Sequence, residues 1–400
     1  MHEILRGLGV LLKKGWRPLR TIMFASWDAE EYGLIGSTEW GEDFPDFIQK
    51  HVVAYMNVDS SAAGERYQVR GSPTLANLLR EAAQDLPHPA DQGRTLWDAR
   101  LDSGHLFPKK THPHGRAPQN ILPDDDSKVN MLGSGSDYTV FLQRLGIASV
   151  DESFRTGHYS PVWHRHSVWD SEKWMETYGD PGFLKHIAVA KHLGLVLLRL
   201  TSEVILPFNT TQYTMDLEMF LNEMRGHDHT PDLAGLTSAI QKLQRASMKL
   251  DERKDQAAIR LEAALALSGA GQYVEECDEL AKGGSWPLSY GLGAFFSQVF
   301  WRQPFENRSP SCRIVDILRE IKDINKILST FEQGFLSEEG IPGREWYRHL
   351  GVAPGRWRGY GATVFPALNE SISLDQNSTL AAYEAQRLTH LLENLAERMS

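Results

Sequence analysis

The pattern of apolar and polar positions divides the chain into two parts of different character. In the first part, short apolar runs alternate with stretches of helical periodicity, which is typical of an α/β domain. After Asn209 the strand signals largely vanish, and helical periodicity with dense charges covers 214–270 and 311–333. A last helix is predicted over 376–399. We therefore expect an α/β domain followed by a helical bundle.

Within the first part, three apolar runs have the length and content of buried strands. They cover 22–27, 52–58 and 147–150. The residues around them carry helical periodicity, which predicts helices at 2–14, 34–42, 74–86, 138–145 and 181–206. Two segments rich in Gly and Pro interrupt these patterns, and we expect a long irregular excursion at 87–131 and an ordered loop at 340–366.

Acidic residues follow the first two of the predicted strands. Asp28, Glu30 and Glu31 come after one strand, and Asp59 comes after the next. The carboxyl ends of parallel strands meet at the ligand crevice of open α/β sheets. Carboxylates crowded together there repel one another unless a cation lies between them. An acid-rich turn with solvated charges explains the first of these stretches equally well.

Three histidines lie in one later segment, at His158, His164 and His166. A loop histidine is more often solvated than bound to a metal, yet imidazole is the commonest metal ligand. Together, Glu31, Asp59 and His166 offer the mixture of oxygen and nitrogen ligands that suits zinc. Glu30, which is adjacent to one of these candidate ligands, is a candidate general base for metal-assisted hydrolysis.

Composition and charge narrow the alternatives. The 400 residues carry a net charge of −10, which argues against nucleic-acid binding because that requires a basic face. Cys277 and Cys312 are the only cysteines, so no disulfide framework is expected, and whether the two form one disulfide stays open. The sequence contains neither a signal peptide nor a membrane-spanning segment. Because it begins within an amphipathic helix, we expect an N-terminally truncated product.

Five sequence blocks resemble, in order and in spacing, the glutamate carboxypeptidase II family (folate hydrolase, N-acetylated alpha-linked acidic dipeptidase), which also contains the transferrin receptors. The blocks are WDAEEYGLIGSTEW, YMNVDSS, LGSGSDYTVFLQRLGIAS, RHSVWDS and VILPF. The resemblance covers nearly the whole chain. It implies an α/β/α sandwich of the zinc exopeptidase type over 1–208, with a mixed and largely parallel sheet. A linker at 209–225 and a transferrin receptor-like helical dimerisation domain at 226–400 follow.

The same resemblance implies a di-zinc metallocarboxypeptidase or dipeptidase that hydrolyses peptides with a metal-activated water. It makes Glu30 the general base, Glu31 a ligand of one zinc ion and Asp59 a ligand of the other. His166 would share the zinc ion of Glu31. Further matches supply substrate contacts from Ser134, Gly135, Ser136, Arg165 and Tyr360, of which Ser136 replaces a family asparagine and Arg165 a family tyrosine.

Two further matches concern calcium and specificity. Glu39 and Glu42 match two acids of a structural calcium site, for which a solvated helix face is an equal alternative. Asp151 and Ser153 occupy the positions at which glutamate-preferring members carry arginines. An arginine fixes a carboxylate through two charge-assisted hydrogen bonds, whereas an acid repels it. The sequence therefore predicts that glutamate is not preferred and that neutral or basic residues are favoured at the acidic subsite. The alternative is that another nearby arginine supplies the same charge.

The family pattern also contains a histidine ligand and a zinc-bridging aspartate before the helix in which this chain begins. Their absence leaves an alternative, a catalytically inactive homologue that acts as a dimerising scaffold, like the transferrin receptors. The survival of Glu30, Glu31, Asp59 and His166 favours an enzyme. We expect a homodimer that acts on peptides. Four sequons hint at a glycoprotein, and the location of a full-length form stays open between secretory, vacuolar, extracellular and membrane-anchored; the sequons are at Asn209, Asn307, Asn369 and Asn377.

Overall fold

The computed structural model describes residues 1–104, 128–157, 159–269 and 310–399, with only the backbone described for 267–269 and 310–313. The first part of the chain is a mixed α/β domain and the second part is helical, as the sequence predicts. The helices of the first part are α1 (His2–Lys13), α2 (Ile35–Asp43), α3 (Pro45–His51), α4 (Ala76–Gln84), α5 (Glu172–Trp174) and α6 (Leu184–Ser202). The helices of the second part are α7 (Thr210–Met224), α8 (Ala234–Gly269), α9 (Pro310–Ser329), α10 (Pro366–Ser373) and α11 (Ser378–Met399).

The central sheet has the strand order β1–β3–β2, with β1 at Tyr55–Asn57, β2 at Arg66–Gly71 and β3 at Ser149–Arg155. β1 runs parallel to β3 and β2 runs antiparallel to it, so the sheet is mixed. The predictions at 52–58 and 147–150 correspond to β1 and β3. The parallel register places Asn57 directly opposite Asp151, at the end of β1 that leads to Asp59.

The predicted strand at 22–27 is wrong for the part of the chain that the structure describes, because these residues join no β-ladder there. Met23 and Phe24 are exposed, whereas a buried strand covers such side chains. An apolar run becomes a strand only where a neighbouring strand completes its hydrogen bonds. Trp27 alone is anchored, since its indole N–H donates to the Tyr55 hydroxyl at 2.9 Å.

The helical part packs around α8, which contacts α7, α9 and α11. Its core is continuous with that of the α/β domain, and the backbone N–H of Asn209 donates to the Thr74 carbonyl at 2.9 Å where the two parts meet. The predicted loop at 340–366 contains a short hairpin that the sequence analysis missed, formed by β4 (Val352–Pro354) and β5 (Ala362–Val364). Among the described residues, no helix combines the length and the apolar content that crossing a membrane requires.

Candidate functional site

The acidic turn directly before α2 has an unusual backbone. Glu30 and Glu31 lie in a single helical turn between Ala29 and Leu34, whose φ angles of 53° and 60° fall in the left-handed region. A non-glycine residue is rare in that region, and such residues cluster at functional sites. Gly36 makes the turn possible, because a Cβ there would lie 2.7 Å from the Asp28 carbonyl oxygen.

The structure brings Glu31 and His166 together from distant parts of the sequence. His166 Nε2 lies 3.0 Å from Glu31 Oε2. His166 also has a left-handed backbone, with φ of 59°. Both side chains are exposed to solvent, so a ligand from solution can reach them.

Asp59 forms the second half of the candidate site. It follows β1, and its backbone N–H donates to the carboxylate of Asp151 on the neighbouring strand. Its Oδ2 lies 3.5 Å from Nη2 of Arg165. The same arginine donates from Nε to His166 Nε2 at 3.1 Å. Arg165 thus connects the two candidate zinc ligands that the resemblance assigns to separate ions.

Glu30 has a perturbed acidity. Burial raises the pKa of its carboxyl group, and the negative charges of Asp59, Glu31 and Asp137 raise it further, while Arg165 acts in the opposite direction. A carboxylate with a raised pKa is a stronger proton acceptor, which is the property that a general base needs.

Sequence reasoning did not place two carboxylates, Asp137 and Asp151, beside Asp59. Burial and the charge of Asp59 raise the pKa of Asp137, although a hydrogen bond from Ser37 opposes them. Asp151 is buried, and burial raises its pKa despite a hydrogen bond from Asn57 Nδ2 at 2.9 Å. The contact of Asp151 with β1 depends on a strand register that no local pattern reveals.

The proposed specificity positions lie inside the sheet rather than on an open surface. Asp151 and Ser153 are both buried on β3. Asp151 also faces Arg155, with 3.6 Å between Oδ2 and Nη2. Its charge is therefore engaged within the protein, and this placement does not support the argument that Asp151 repels an acidic substrate.

The predicted substrate-contacting residues divide into two groups. Ser134 and Gly135 lie against Tyr360, since the Ser134 N–H donates to the Tyr360 carbonyl at 3.2 Å and a Cβ on Gly135 would lie 2.2 Å from the Tyr360 ring. Gly135 has φ of 99°, which favours glycine. Ser136, in contrast, is buried and accepts a hydrogen bond from Asn57 at 2.9 Å.

The remaining candidates lie apart from this group. Glu42 accepts a hydrogen bond from the Trp346 indole at 2.7 Å and lies 3.6 Å from Arg144 Nε, while Glu39 is exposed on α2. The ring of His164 lies edge-on to Trp174. The match to a calcium site stays a prediction. His158, Cys277 and the side chain of Cys312 lie outside the described residues.

One pair of donor atoms has the spacing that zinc requires. Two ligands that each lie about 2 Å from one tetrahedral zinc ion are separated by roughly 3.3 Å. The 3.0 Å between Glu31 Oε2 and His166 Nε2 is close to this spacing, and a carboxylate with an imidazole is a suitable donor pair. No cluster of three or more His, Cys, Asp or Glu side chains around one metal position occurs in the described residues.

Comparisons with known proteins identify two domain families along the chain. Residues 1–109 match Peptidase family M28, and residues 301–400 match the Transferrin receptor-like dimerisation domain. The candidate residues Glu30, Glu31 and Asp59 lie within the first match, and Tyr360 lies within the second. The two matches thus include the candidate ligands before β2 and the loop that packs on Gly135.

Three curated relatives of this chain have the names of peptidases. The chain is 30% identical over 388 residues to "Probable glutamate carboxypeptidase LAMP1" of Arabidopsis thaliana, with 96% of this chain and 45% of the relative covered. It is 31% identical over 390 residues to "Probable glutamate carboxypeptidase" of Arthroderma benhamiae, with 96% and 43% covered. It is 38% identical over 228 residues to "Aminopeptidase NAALADL1" of Mus musculus, with 55% and 29% covered. The chain therefore spans less than half the length of each of these relatives.

Proposed function

Because this chain belongs to the glutamate carboxypeptidase II family of M28 peptidases with a transferrin receptor-like dimerisation domain, we propose that the protein is a zinc-dependent metallopeptidase of the carboxypeptidase or dipeptidase type. The observation that carries the proposal is the approach of Glu31 to His166 at 3.0 Å, directly beside Glu30. Acid, imidazole and a neighbouring base of raised pKa are the groups that metal-assisted hydrolysis requires.

In this proposal, Glu31 and His166 would hold one zinc ion and Asp59 a second. Bound zinc supplies a Lewis acid and lowers the pKa of water. The donor spacing between Glu31 and His166 supports the first assignment. The second assignment rests on the family resemblance. We also propose that Glu39 and Glu42 bind calcium. The proposed domain limits are 1–208, 209–225 and 226–400.

Glu30 performs the proton transfer of the proposed reaction. Its carboxylate accepts a proton from the water that attacks the peptide carbonyl carbon, and it gives that proton to the leaving amine nitrogen as the C–N bond breaks. Ser134, Gly135 and Tyr360 form a continuous surface against which the substrate peptide is oriented. Orientation contributes to the rate because it replaces an encounter in solution by a fixed geometry.

The alternative of an inactive scaffold receives no support from the relatives described above, whose names are those of peptidases. The catalytic carboxylate, both candidate acidic ligands and the histidine are all retained. We therefore keep hydrolysis of peptides as the function, and we treat the homodimer and the glycoprotein assignment as proposals that accompany it.

Two neighbouring substitutions test the division of roles. Glu30→Gln should lower kcat by about 100- to 10,000-fold and leave bound zinc unchanged, because it removes a base and not a ligand. Glu31→Gln should lower both activity and zinc content. The measurements are kcat/KM on dipeptides with different C-terminal residues and elemental analysis of the purified protein. Glu262→Gln, on an exposed face of α8, is the matched control. Near-normal turnover of Glu30→Gln would contradict the proposed base.

A further inference from the structure

A single guanidinium group lies between the candidate ligands. Arg165 contacts Asp59 through Nη2 at 3.5 Å and His166 through Nε at 3.1 Å. Its guanidinium carbon also lies 5.5 Å from the centre of the Trp163 ring. Three neighbours on two segments thus hold the cation against the side chains that would bind metal.

The charges around Arg165 explain why it is held there. Four carboxylates, Glu30, Glu31, Asp59 and Asp137, lie within electrostatic range of one another, and Arg165 is a cation among them. Carboxylates at this spacing repel one another unless a cation compensates them. A guanidinium stays charged at all physiological pH values, so Arg165 provides this compensation permanently.

One ring nitrogen of His166 has two neighbours that place opposite demands on it. Its Nε2 faces a donor, Arg165 Nε, and also an acceptor, Glu31 Oε2. A ring nitrogen either carries a proton or offers a lone pair, so it cannot serve both neighbours at once. A metal ion bound by the lone pair of Nε2 and by Glu31 would satisfy both ligands, but it would bring a second positive centre close to Arg165.

We propose that Arg165 is a built-in cation that opposes zinc loading by occupying the space between Asp59 and His166. The proposal rests on the zinc-dependent function given above. Zinc binding then requires the guanidinium to give up its contacts with Asp59 and His166. The guanidinium must also stay near a second positive charge, that of the zinc ion. The zinc affinity of the protein is consequently lower than its donor set alone would give, and the acidic turn is stabilised without metal.

The test compares zinc binding by the full chain with and without this charge. Arg165→Gln should raise the zinc affinity on the order of 10-fold, because one unit charge near a partly exposed ion changes its binding free energy by an amount of this size. Arg165→Lys keeps the charge and should therefore bind zinc less tightly than Arg165→Gln. The affinity is measured by competition with a chromogenic chelator, and the zinc-dependent increase in Tm gives a second readout. Arg6→Gln, whose ion pair is with Glu3 on α1, removes the same charge as a control.

The outcomes separate this inference from the proposed function. A gain in affinity that shrinks at high salt supports a charge effect at a partly exposed site. Equal zinc affinity of parent and Arg165→Gln overturns the inference and leaves the zinc function intact. Weaker binding by Arg165→Gln also overturns it, because Arg165 would then support the site. If neither protein binds zinc, both the inference and the zinc-dependent function are wrong.

Discussion

Two buried groups of the same composition, each with one Tyr, one Glu and one His, have different hydrogen-bonding patterns. In the first, His192 Nδ1 bonds to Glu152 Oε2 and Nε2 faces the Leu79 carbonyl at 2.9 Å. Because both ring nitrogens face acceptors, both carry protons and the ring is an imidazolium. Tyr67 donates to the same Glu152 oxygen at 2.7 Å. The result is a buried ion pair that joins the sheet to α4 and α6.

The second group lies in the helical part and carries one proton fewer. His349 Nδ1 accepts the Val352 N–H at 3.0 Å, so its proton is on Nε2, which donates to Glu332 Oε1 at 3.1 Å. The Tyr213 hydroxyl also bonds to Glu332 Oε1, at 3.3 Å. His349 is therefore a neutral donor, whereas His192 is a cation, although both side chains are completely buried.

The two histidines provide a matched pair of substitutions. His192→Ala leaves the Glu152 carboxylate buried without its counter-charge and should lower the free energy of unfolding by about 3–5 kcal/mol. His349→Ala removes a neutral hydrogen bond together with the same volume and should cost less. Urea unfolding followed by tryptophan fluorescence measures both values. Equal losses would contradict the assignment of an ion pair to His192 alone.

The stabilisation from the His192–Glu152 ion pair depends on pH with a definite sign. Burial lowers the pKa of His192, but the charge of Glu152 and the hydrogen bonds to Glu152 and to Leu79 raise it above the ordinary value of 6.5. The stabilisation is therefore complete below this value and is lost as the pH rises through the folded-state pKa. The difference in unfolding free energy between the parent protein and His192→Ala should shrink over that range.

The residue types of the candidate site are predictable from the sequence, but their contacts are only partly so. Asp59 is recognised from a strand end, whereas Glu30, Glu31 and His166 are recognised from a motif, since the strand predicted before Glu30 does not form. The placement of half-buried Asp137 and buried Asp151 beside them is not predictable, because a carboxylate that serves a site through burial has no local signal. Their roles depend on a strand register and on a loop that approaches from another part of the chain.

At the scale of elements, period-2 alternation marks a strand that the search for apolar runs missed. The missed strand β2, RYQVRG, alternates half-buried and buried side chains from Arg66 to Gly71. That alternation is visible in the sequence, whereas the run at 22–27 suggested a strand that joins no ladder in the described chain. Apolar content indicates burial, but hydrogen-bonded neighbours decide whether a strand forms.

The contact between the loop at 133–135 and the β4–β5 hairpin allows a test of glycine at two positions. A Cβ on Gly133 would lie 2.1 Å from the Tyr360 carbonyl oxygen and 2.8 Å from the Ala362 nitrogen, both backbone atoms. Gly133→Ala should therefore lower the free energy of unfolding by about 1–3 kcal/mol. Gly194, within α6, has no heavy atom within 4 Å of its Cβ position. Gly194→Ala should stabilise the protein by about 0.5–1 kcal/mol. Tm is measured by thermal unfolding of both variants. A shift of Tm in the same direction for both would contradict this explanation.

At the scale of the whole molecule, the two parts of the chain share one hydrophobic core. Buried side chains such as Leu79 and Val150 in the α/β domain belong to the same cluster as Leu243 and Leu392 in the helical part. Because Tyr360 of the second part also packs on Gly135 of the first, the candidate substrate surface needs both. We expect the two parts to unfold together rather than as separate domains.

The matched dimerisation domain predicts the state of the molecule in solution. A chain of 45.2 kDa that pairs through the region 226–400 should have twice that mass in light scattering at micromolar concentration. Leu374, which lies within the matched region, has 47% of its surface exposed, and Leu184 on α6 has 46% exposed. Interfaces of stable homodimers are large and apolar, so a charge placed within one weakens it. Leu374→Asp should lower the dimer fraction, whereas Leu184→Asp should leave it unchanged. A folded monomer at micromolar concentration would contradict the proposed homodimer.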